Sequence, residues 1–216
     1  MRTLSDSAAL ERSLVKRFRK ELWQPFIAAC KRYALLPEGC HAAALLDGTT
    51  ASLAMALLLR ELQRHSDVPF ALTLFAGEGV SLPACVDLPL VPAEGDAAGA
   101  ARAAGCDRIA AADCMSDAAE AVLTGMLKDG VLRAIPPEEE GGGLRIIRPL
   151  YCVEEKDLRA FCRYNGLTFV PRPRDPRRET ARALLEEVKA GSPDAEIRVF
   201  RALHALRRDT FPPQDR

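Results

Sequence analysis

The sequence lacks an excess of charge of either sign. Among its 216 residues, 30 Lys and Arg side chains face 30 Asp and Glu side chains, and the formal net charge at pH 7 is +0. A neutral chain has no global attraction for nucleic acid, so any attraction for RNA must come from local basic patches. This balance excludes a protein that binds nucleic acid through its overall charge.

Long apolar runs are also lacking. About 20 consecutive apolar residues are needed to cross a bilayer, whereas the longest candidate, residues 53–59, is a short segment typical of a buried helix. The N-terminal stretch MRTLSDSAALERSLVKRFRKEL carries too many charges for a signal peptide. We therefore expect a cytoplasmic protein with no membrane partner.

The sequence lacks paired cysteines. None of its seven cysteines belongs to a CxxC pair, and no spacing typical of metal ligands is visible. Several lie in apolar contexts, where a free cysteine behaves as a small hydrophobe. We expect reduced cysteines in or near the core and no metal site.

Short apolar segments alternate with helical periodicity along the chain. Strands are predicted at residues 41–46, 70–75, 86–91, 108–112 and 144–150, and helices at 7–33, 49–65, 97–104, 116–129, 153–165, 176–190 and 194–207. Pro25 is predicted to break or kink the first helix, and residues 138–143 to form a loop. The alternation predicts an α/β fold with a Rossmann-like open parallel sheet.

We predict three segments from this pattern. They are an N-terminal helical segment at residues 1–36, an α/β domain at 37–170, and a basic helical tail at 171–216 that packs on the domain.

A polar turn, Asp47-Gly-Thr-Thr-Ala-Ser52, joins the first predicted strand to the next helix. A helix that begins beyond a parallel strand offers free N–H groups and the positive end of its dipole to an anion. Gly48 permits a left-handed backbone, and Thr49, Thr50 and Ser52 supply hydroxyls. The alternative is a plain helix N-cap, which Thr49 or Thr50 would satisfy alone.

Three stretches carry a family resemblance. HAAALLDGTTASLAMALLLREL lies where a known family has a strand, a Ser-Gly-Gly-Lys-Asp-Ser loop and a Leu-rich helix. CDRIAAADCMSDAAEAVLTGMLKDGVLRAIPP resembles that family's strand and Gly-His-His-x-Asp-Asp-x-x-Glu-Thr helix, and RIIRPLYCVEEKDLRAFCRYNGL its Arg-Pro-Leu strand and acidic helix. The family is the PP-loop ATP pyrophosphatases, and within it the tRNA 2-thiocytidine synthetase group. The resemblance covers nearly the whole chain.

The resemblance implies a fold of the adenine nucleotide alpha-hydrolase type, ATP and Mg²⁺ as cofactors, and tRNA as partner. In the family, ATP activates a base carbonyl oxygen by adenylation, and sulfur then displaces AMP. Relatives commonly pair, which implies a homodimer. The nucleotide-binding positions that the resemblance marks are Asp47, Gly48, Thr49, Thr50 and Ser52.

The loop departs from the family pattern at four positions. Asp47 stands for the first Ser, Thr49 for the second Gly, Thr50 for the Lys, and Ala51 for the Asp. A carboxylate aimed at a phosphate repels it by roughly a few kcal/mol at an effective dielectric constant near 20. The missing Lys and Asp remove a phosphate-neutralising charge and an expected Mg²⁺ contact.

The second motif keeps two acids, Asp117 and Glu120, while Asp113, Cys114 and Ser116 replace its two His and one Asp. Asp117 and Glu120 lie one turn apart on a predicted helix, so both could reach one site as weak catalytic candidates. The alternative is a pair of ordinary acids near a helix N-terminus, where the dipole favours them.

The family's iron–sulfur element has no counterpart in the sequence. Its CxxC stretch is deleted near residues 92–100, and its later Cys position falls at residues 171–173 in FVPRPRD. Three thiolates are a minimum for such a cluster. We therefore predict no iron–sulfur cluster.

Basic segments are candidates for RNA phosphate contacts. The main one supplies Arg172, Arg174, Arg177 and Arg178, and residues 16–20 and 198–208 could act likewise. The alternative for each is a solvated helix face. Aromatic residues are sparse near these segments in the sequence.

Three functions stay open. The first is a diverged family protein, a pseudoenzyme with lost or weakened adenylation. The second is an active ATP-dependent tRNA-modifying enzyme with a rebuilt site, and the third is a protein-interaction module.

Overall fold

The computed structural model describes residues 6–93, 96–167, 170 and 175–205. The chain forms two compact units. Met1–Cys114 with Pro136–Pro173 make the first, here the sheet unit, and Met115–Ile135 with Arg174–Arg216 make the second, here the helical unit. This grouping differs from the three predicted segments, because the N-terminal helices join the sheet and residues 115–135 join the tail helices.

A sheet lies at the centre of the sheet unit, and the described residues give it six strands. They are β1 (His41–Leu46), β2 (Ala71–Ala76), β3 (Leu90–Pro92), β4 (Arg108–Ala110), β5 (Glu138–Gly141) and β6 (Leu144–Ile147). The order is β3-β2-β1-β4-β6-β5. Every pairing is parallel except that of β5 with β6. The predicted α/β fold with an open parallel sheet is confirmed.

The antiparallel edge strand β5 was not predicted, and the prediction of a loop at residues 138–143 was wrong for residues 138–141 and right for the turn at 142–143. Gly142 and Gly143 turn the chain with φ angles of 61° and 76°, a left-handed conformation that glycine adopts without steric cost. Glu138 pairs across the hairpin with Arg145, and with Arg108 at 3.5 Å. Such cross-strand ion pairs stabilise a strand whose acidic composition alone disfavours it.

The described residues form eight α-helices: α1 (Asp6–Arg12), α2 (Gln24–Arg32), α3 (Thr50–His65), α4 (Ala97–Ala103), α5 (Met115–Thr124), α6 (Glu155–Tyr164), α7 (Glu179–Gly191) and α8 (Ala195–His204). Helices α5, α7 and α8 belong to the helical unit and the others to the sheet unit. In the part of the chain that the structure describes, none of these helices combines the length and hydropathy needed to span a bilayer.

Two π-helical turns, Ser13–Arg17 and Arg19–Trp23, connect α1 to α2. The interruption lies at Phe18, with φ −101° and ψ 26°, and not at Pro25, which sits in the first turn of α2 where proline is tolerated. The five apolar residues spaced by four, Leu10, Leu14, Phe18, Leu22 and Phe26, are all buried. A strict four-residue repeat drifts around an α-helix, and the wider π turns keep it on one face.

The cysteines lie in or near the core, as predicted: five are buried and two, Cys85 and Cys152, are half-buried. Burial raises the pKa of the Cys30 and Cys162 thiols to about 12. These thiols therefore stay protonated at neutral pH and act as small apolar side chains.

Candidate nucleotide site and its surroundings

The polar turn lies where the sequence places it, at the carboxyl end of β1 and before α3. Gly48 has φ +82°, so the turn uses the left-handed conformation that the glycine was expected to allow. Thr49 is the N-cap of α3, with an extended backbone at φ −87° and ψ 154°. The turn has the backbone form of a phosphate loop, and its side chains decide whether it can act as one.

Asp47 directs its carboxylate into the turn. Its Oδ1 atom accepts hydrogen bonds from the Thr49 amide at 2.9 Å and from the Thr49 hydroxyl at 2.7 Å. A carboxylate that receives two donors from its own loop neutralises part of the positive potential at the helix start. Asp47 therefore occupies donors that a phosphate would need.

The hydroxyls of Thr49 and Ser52 are used inside the turn as well. Thr49 Oγ1 accepts from the Ser52 amide at 3.2 Å. Ser52 Oγ donates to the Thr49 carbonyl at 3.0 Å and accepts from the Asp47 amide at 3.3 Å. Thr49 and Ser52 expose only 4% and 1% of their surface. The arrangement is a closed helix cap of the kind that N-cap threonines make.

A short extended contact completes the turn. The Thr50 amide donates to the carbonyl of Val170 at 3.2 Å, and the Val170 amide donates to the carbonyl of Gly48 at 3.2 Å. The amides of Asp47, Thr49, Thr50 and Ser52 thus all have acceptors within the sheet unit. The Lys that neutralises phosphate in the family is absent, since Thr50 takes its place. The residues present do not fit the triphosphate of ATP.

Arg148, from the Arg-Pro-Leu stretch, has a structural role that the sequence did not reveal. It is 7% exposed. Its Nε donates to Asp113 at 3.0 Å and its Nη1 to the carbonyl of Pro136 at 2.8 Å, while Nη2 pairs with Glu139 on β5. Asp113, which replaces a family His, therefore helps to hold the hairpin beside β4.

Glu120, a weak catalytic candidate, forms a buried ion pair in the helical unit. Its two carboxylate oxygens receive Nε and Nη2 of Arg182, both at 2.8 Å, and Glu120 is 6% exposed. Bidentate pairs of this geometry are among the stronger ones in proteins. Arg182 lies 62 residues away on a charge-rich helix, so no sequence signal distinguished it from its neighbours.

Asp117, the other acidic candidate, lies 3.6 Å from Arg178. Arg178 also lies 3.6 Å from Asp175, and Arg177 lies 2.8 Å from Asp129. Two of the four arginines predicted to bind RNA are thus ion-paired within the helical unit. The other two, Arg172 and Arg174, fall outside the described residues.

A second buried acid, Glu196, accepts hydrogen bonds from two other helices of the helical unit. Ser116, which replaces a family residue, donates its hydroxyl to Glu196, and Lys189 donates to the same carboxylate at 3.1 Å. Burial lowers the pKa of Lys189, but hydrogen bonds from its ammonium to Glu186 and Glu196 outweigh this effect and raise it. Ser116 and Glu120 of the second motif therefore connect α5 to α8 and to α7.

The described residues contain no group of three or more His, Cys, Asp or Glu side chains arranged to hold a metal ion. The absence of an iron–sulfur cluster stays a prediction, because residues 171–174 are outside the described part.

Comparison with known proteins gives two partial matches in sequence and a broad one in fold. No family profile matches the chain. A tRNA(Ile)-lysidine synthase of Symbiobacterium thermophilum is 41% identical over 71 residues, which cover 32% of this chain and 15% of the relative. A tRNA-cytidine(32) 2-sulfurtransferase of Syntrophotalea carbinolica is 35% identical over 69 residues, which cover 31% and 27%.

Among solved structures, the U34-tRNA thiolase NcsA from Methanococcus maripaludis, with its [4Fe-4S] cluster, has a TM-score of 0.61 to this chain. The match covers 89% of this chain and 80% of the thiolase at 13% sequence identity, which shows likeness in fold. These matches confirm the predicted resemblance to the PP-loop ATP pyrophosphatase superfamily. The chain spans less than a third of the length of either curated relative, 15% of one and 27% of the other.

Proposed function

We propose that this protein belongs to the tRNA-modifying branch of the superfamily, has tRNA as its partner, and has lost adenylation or retains it only weakly. The observation that carries the proposal is the closed turn, in which Asp47 binds the donors of Thr49. Both curated relatives are enzymes named for acting on tRNA, which supports the class of partner.

The electrostatics of the turn oppose nucleotide binding. To admit a phosphate, the turn must release the carboxylate of Asp47 or accept two negative groups close together. Two such charges repel by about 4 kcal/mol at 4 Å and an effective dielectric constant near 20. Removing one preorganised donor from an active site typically costs about 10²–10³ in rate, and this turn has lost several groups at once.

An active enzyme with a rebuilt site is the weaker alternative. It would need the hydroxyls of Thr49, Thr50 and Ser52 with Asp117 and Glu120. The hydroxyls of Thr49 and Ser52 are bonded within the turn, and Glu120 holds Arg182 in a bidentate pair. These three groups would first have to leave their present partners.

The decisive experiment measures pyrophosphate release from ATP and Mg²⁺ in the presence of an unmodified tRNA transcript, because adenylation expels pyrophosphate and AMP leaves only when sulfur displaces it. We expect no release above the protein-free blank, and no heat of ATP binding by calorimetry. The matched variant restores the family loop with Asp47→Ser, Thr49→Gly, Thr50→Lys and Ala51→Asp. We expect it to gain Mg²⁺-dependent ATP binding, because it regains a cation and opens the donors.

Rapid pyrophosphate release by the natural protein would contradict the proposal. A Gly48→Val variant then identifies the source, since φ +82° at this position disfavours a branched side chain. Loss of the activity in that variant would establish the rebuilt-site enzyme, and its persistence would indicate a contaminant.

A protein-interaction module is the second candidate function. Four large apolar side chains are exposed within a short stretch of the helical unit: Met126, Leu127, Val131 and Leu132, at 51%, 54%, 43% and 48%. Clustered exposed apolar residues mark interaction surfaces, and a homodimer is the partner that the family resemblance implies. Light scattering of the natural protein and of a Leu127→Ser/Leu132→Ser variant tests it; a monomer in both would exclude a homodimer through this surface.

A further inference from the structure

The N-terminal helices carry a basic face. Five side chains define this N-terminal basic face, and all are exposed: Arg12, Lys16, Arg17, Arg19 and Lys20. No acid interrupts residues 12–20, and none of the five is ion-paired with another described residue. Of the two acids that flank this stretch, Glu11 and Glu21, Glu11 pairs with Arg64. Because the whole chain has a net charge of +0, this concentration of charge is local.

The buried stripe of the same helices fixes the direction of the basic face. Leu14, Phe18 and Leu22 pack into the core, so the basic side chains between them lie on the remaining surface of the helix. The ring of Phe18 meets the ring of Phe161, on α6, edge-on at 5.5 Å between centroids. The basic face is therefore held on a packed element of the sheet unit.

An exposed aromatic ring adjoins this face. Tyr164, the last residue of α6, is 62% exposed. Its ring lies 5.6 Å from that of Phe18 in an edge contact, and Cζ of Arg17 lies 5.9 Å from the Tyr164 ring centroid. The neighbouring Arg163 is also exposed. Packing on one edge with open surface elsewhere leaves a ring that a flat partner can stack on.

We propose that the N-terminal basic face and Tyr164 together bind structured RNA. The basic side chains contact phosphates, and Tyr164 stacks on an unpaired base beside the Arg17 guanidinium. Basic grooves combined with aromatic platforms are the usual means of binding single-stranded loops and ends of RNA. The choice of a tRNA probe rests on the proposed function, whereas the surface itself follows from charge and geometry.

Two observations favour this surface and this partner. The alternative basic segment has Arg177 and Arg178 already paired with acids. A helix that binds a bilayer buries an apolar face in it, yet among the described residues of the N-terminal segment, 7–33, no large apolar side chain is exposed. The surface offers positive charge and one aromatic ring, which complement a folded polyanion with unpaired bases.

The first experiment measures binding of an unmodified tRNA transcript by fluorescence anisotropy at several salt concentrations without ATP. In a variant with Arg12→Gln, Lys16→Gln and Lys20→Gln, three phosphate contacts are lost. We expect the slope of log K against log salt to become shallower by about 2 to 3, at 0.7–0.9 per contact. The variant keeps Arg17, whose guanidinium lies over the Tyr164 ring.

The matched control removes the same charge elsewhere with Lys128→Gln, Lys156→Gln and Arg159→Gln, three exposed residues. Its slope should equal that of the natural protein. Equal loss in both variants would mean that only net charge matters and would overturn the proposed surface. Loss confined to an Arg177→Gln/Arg178→Gln variant would move the site to the helical unit.

The second experiment tests the ring. Tyr164→Ala should weaken binding of the tRNA transcript about 5- to 150-fold, the range found for removing one stacked base contact. The salt slope should stay unchanged, because no charge is removed. Tyr164→Phe keeps the stacking face and should restore binding. An unchanged affinity in Tyr164→Ala would contradict the stacking role.

Vesicles that contain anionic phospholipid provide the last comparison. The surface binds membranes, and the RNA assignment is wrong, if two results are found together. The natural protein cosediments with the vesicles and the variant Arg12→Gln/Lys16→Gln/Lys20→Gln does not, and the natural protein does not bind the tRNA transcript.

If the tRNA transcript binds tightly and the N-terminal variants leave its affinity and salt slope unchanged, only the proposed surface is wrong. If the transcript does not bind at all, tRNA is also removed as the partner in the proposed function. Calorimetry of ATP binding contains no RNA, so its result separates the loss of nucleotide binding from both outcomes.

Discussion

The turn at residues 47–52 and the N-terminal basic face belong to one unit and differ in whether their polar groups have partners. In the turn, Asp47, Thr49 and Ser52 are hydrogen-bonded to one another. On the basic face, Lys16 and Lys20 meet no acid among the described residues and extend into solvent. The polar groups of the turn form a closed helix cap, whereas the charged groups of the basic face are exposed.

The helical unit resembles the turn in this respect, because its buried acids Glu120 and Glu196 have partners within the unit. Glu120 and Arg182 form the clearest case, with side-chain exposures of 8% and 18%. Substitutions at paired and at unpaired charges should therefore change the free energy of unfolding by different amounts. The largest change is expected when one member of a buried ion pair is removed.

Glu120→Ala should lower the free energy of unfolding by about 3 kcal/mol, the lower end of the range for breaking a buried pair, since Arg182 loses its bidentate partner and keeps only the exposed Glu179 at 3.2 Å. Urea denaturation followed by circular dichroism measures the change. The double variant Glu120→Leu/Arg182→Met should recover much of it, because no buried charge of the pair remains. A loss below about 1 kcal/mol would contradict the stabilising role of this pair.

The sequence predicted the sheet and the turn because both depend on local signals. An apolar strand, a glycine and a hydroxyl residue at a helix start mark β1 and α3 within about ten residues of chain. The Glu120–Arg182 pair depends on the packing of α5 against α7, and the edge contact of Tyr164 depends on α6 meeting the first helices. Neither helix periodicity nor residue spacing carries such long-range information.

The errors of the sequence reasoning have the same origin. Residues 138–143 have the composition of a loop, and the pairing with β6 makes a strand of residues 138–141. Aromatic residues are sparse near the basic segments in the sequence because Tyr164 is distant along the chain from Arg17, although their side chains meet. Both contacts were therefore hidden by separation along the chain.

Helix α6 carries the exposed Tyr164 and the buried Cys162. The contribution of the buried thiol to stability depends on pH. Burial raises the pKa of Cys162 to about 12 from an ordinary value of 9.0, so the folded state holds this proton more tightly than the unfolded state. Its stabilising contribution is complete below about pH 9 and is lost as the pH rises toward about 12.

Cys162→Ala should therefore flatten the alkaline decline of the unfolding free energy by up to about 1.4 kcal/mol per pH unit in that window. Urea titrations at pH values from 8 upward, on the order of half a unit apart, measure it. Cys85→Ala is the control, since Cys85 is only half-buried. Parallel pH profiles for the natural protein and Cys162→Ala would show that this thiol ionises equally in both states.

The turn itself should respond moderately to the loss of its cap. Thr49→Ala removes the acceptor of the Ser52 amide and a donor to Asp47, and we expect a loss of about 1 kcal/mol, with an upper range near 2. Thr50→Ala changes the adjacent residue and keeps the hydrogen bond from its backbone N–H to the carbonyl of Val170. It should change the free energy of unfolding by less than about 0.5 kcal/mol. Thermal and urea unfolding measure both variants. If Thr49→Ala and Thr50→Ala lost equal amounts of stability, the closed cap would be contradicted.

The smallest predicted effect is on the basic face, and its sign separates function from structure. Arg12, Lys16 and Lys20 are spaced by four along the helices and are exposed, and each like-charge pair at this spacing destabilises a helix by about 0.2–0.5 kcal/mol. The Arg12→Gln/Lys16→Gln/Lys20→Gln variant should therefore be as stable as the natural protein or up to about 1 kcal/mol more stable, as measured by urea unfolding. A surface whose charges weaken the fold and strengthen RNA binding is maintained for binding, whereas a destabilised variant would show that these side chains serve the fold, as those of the turn do.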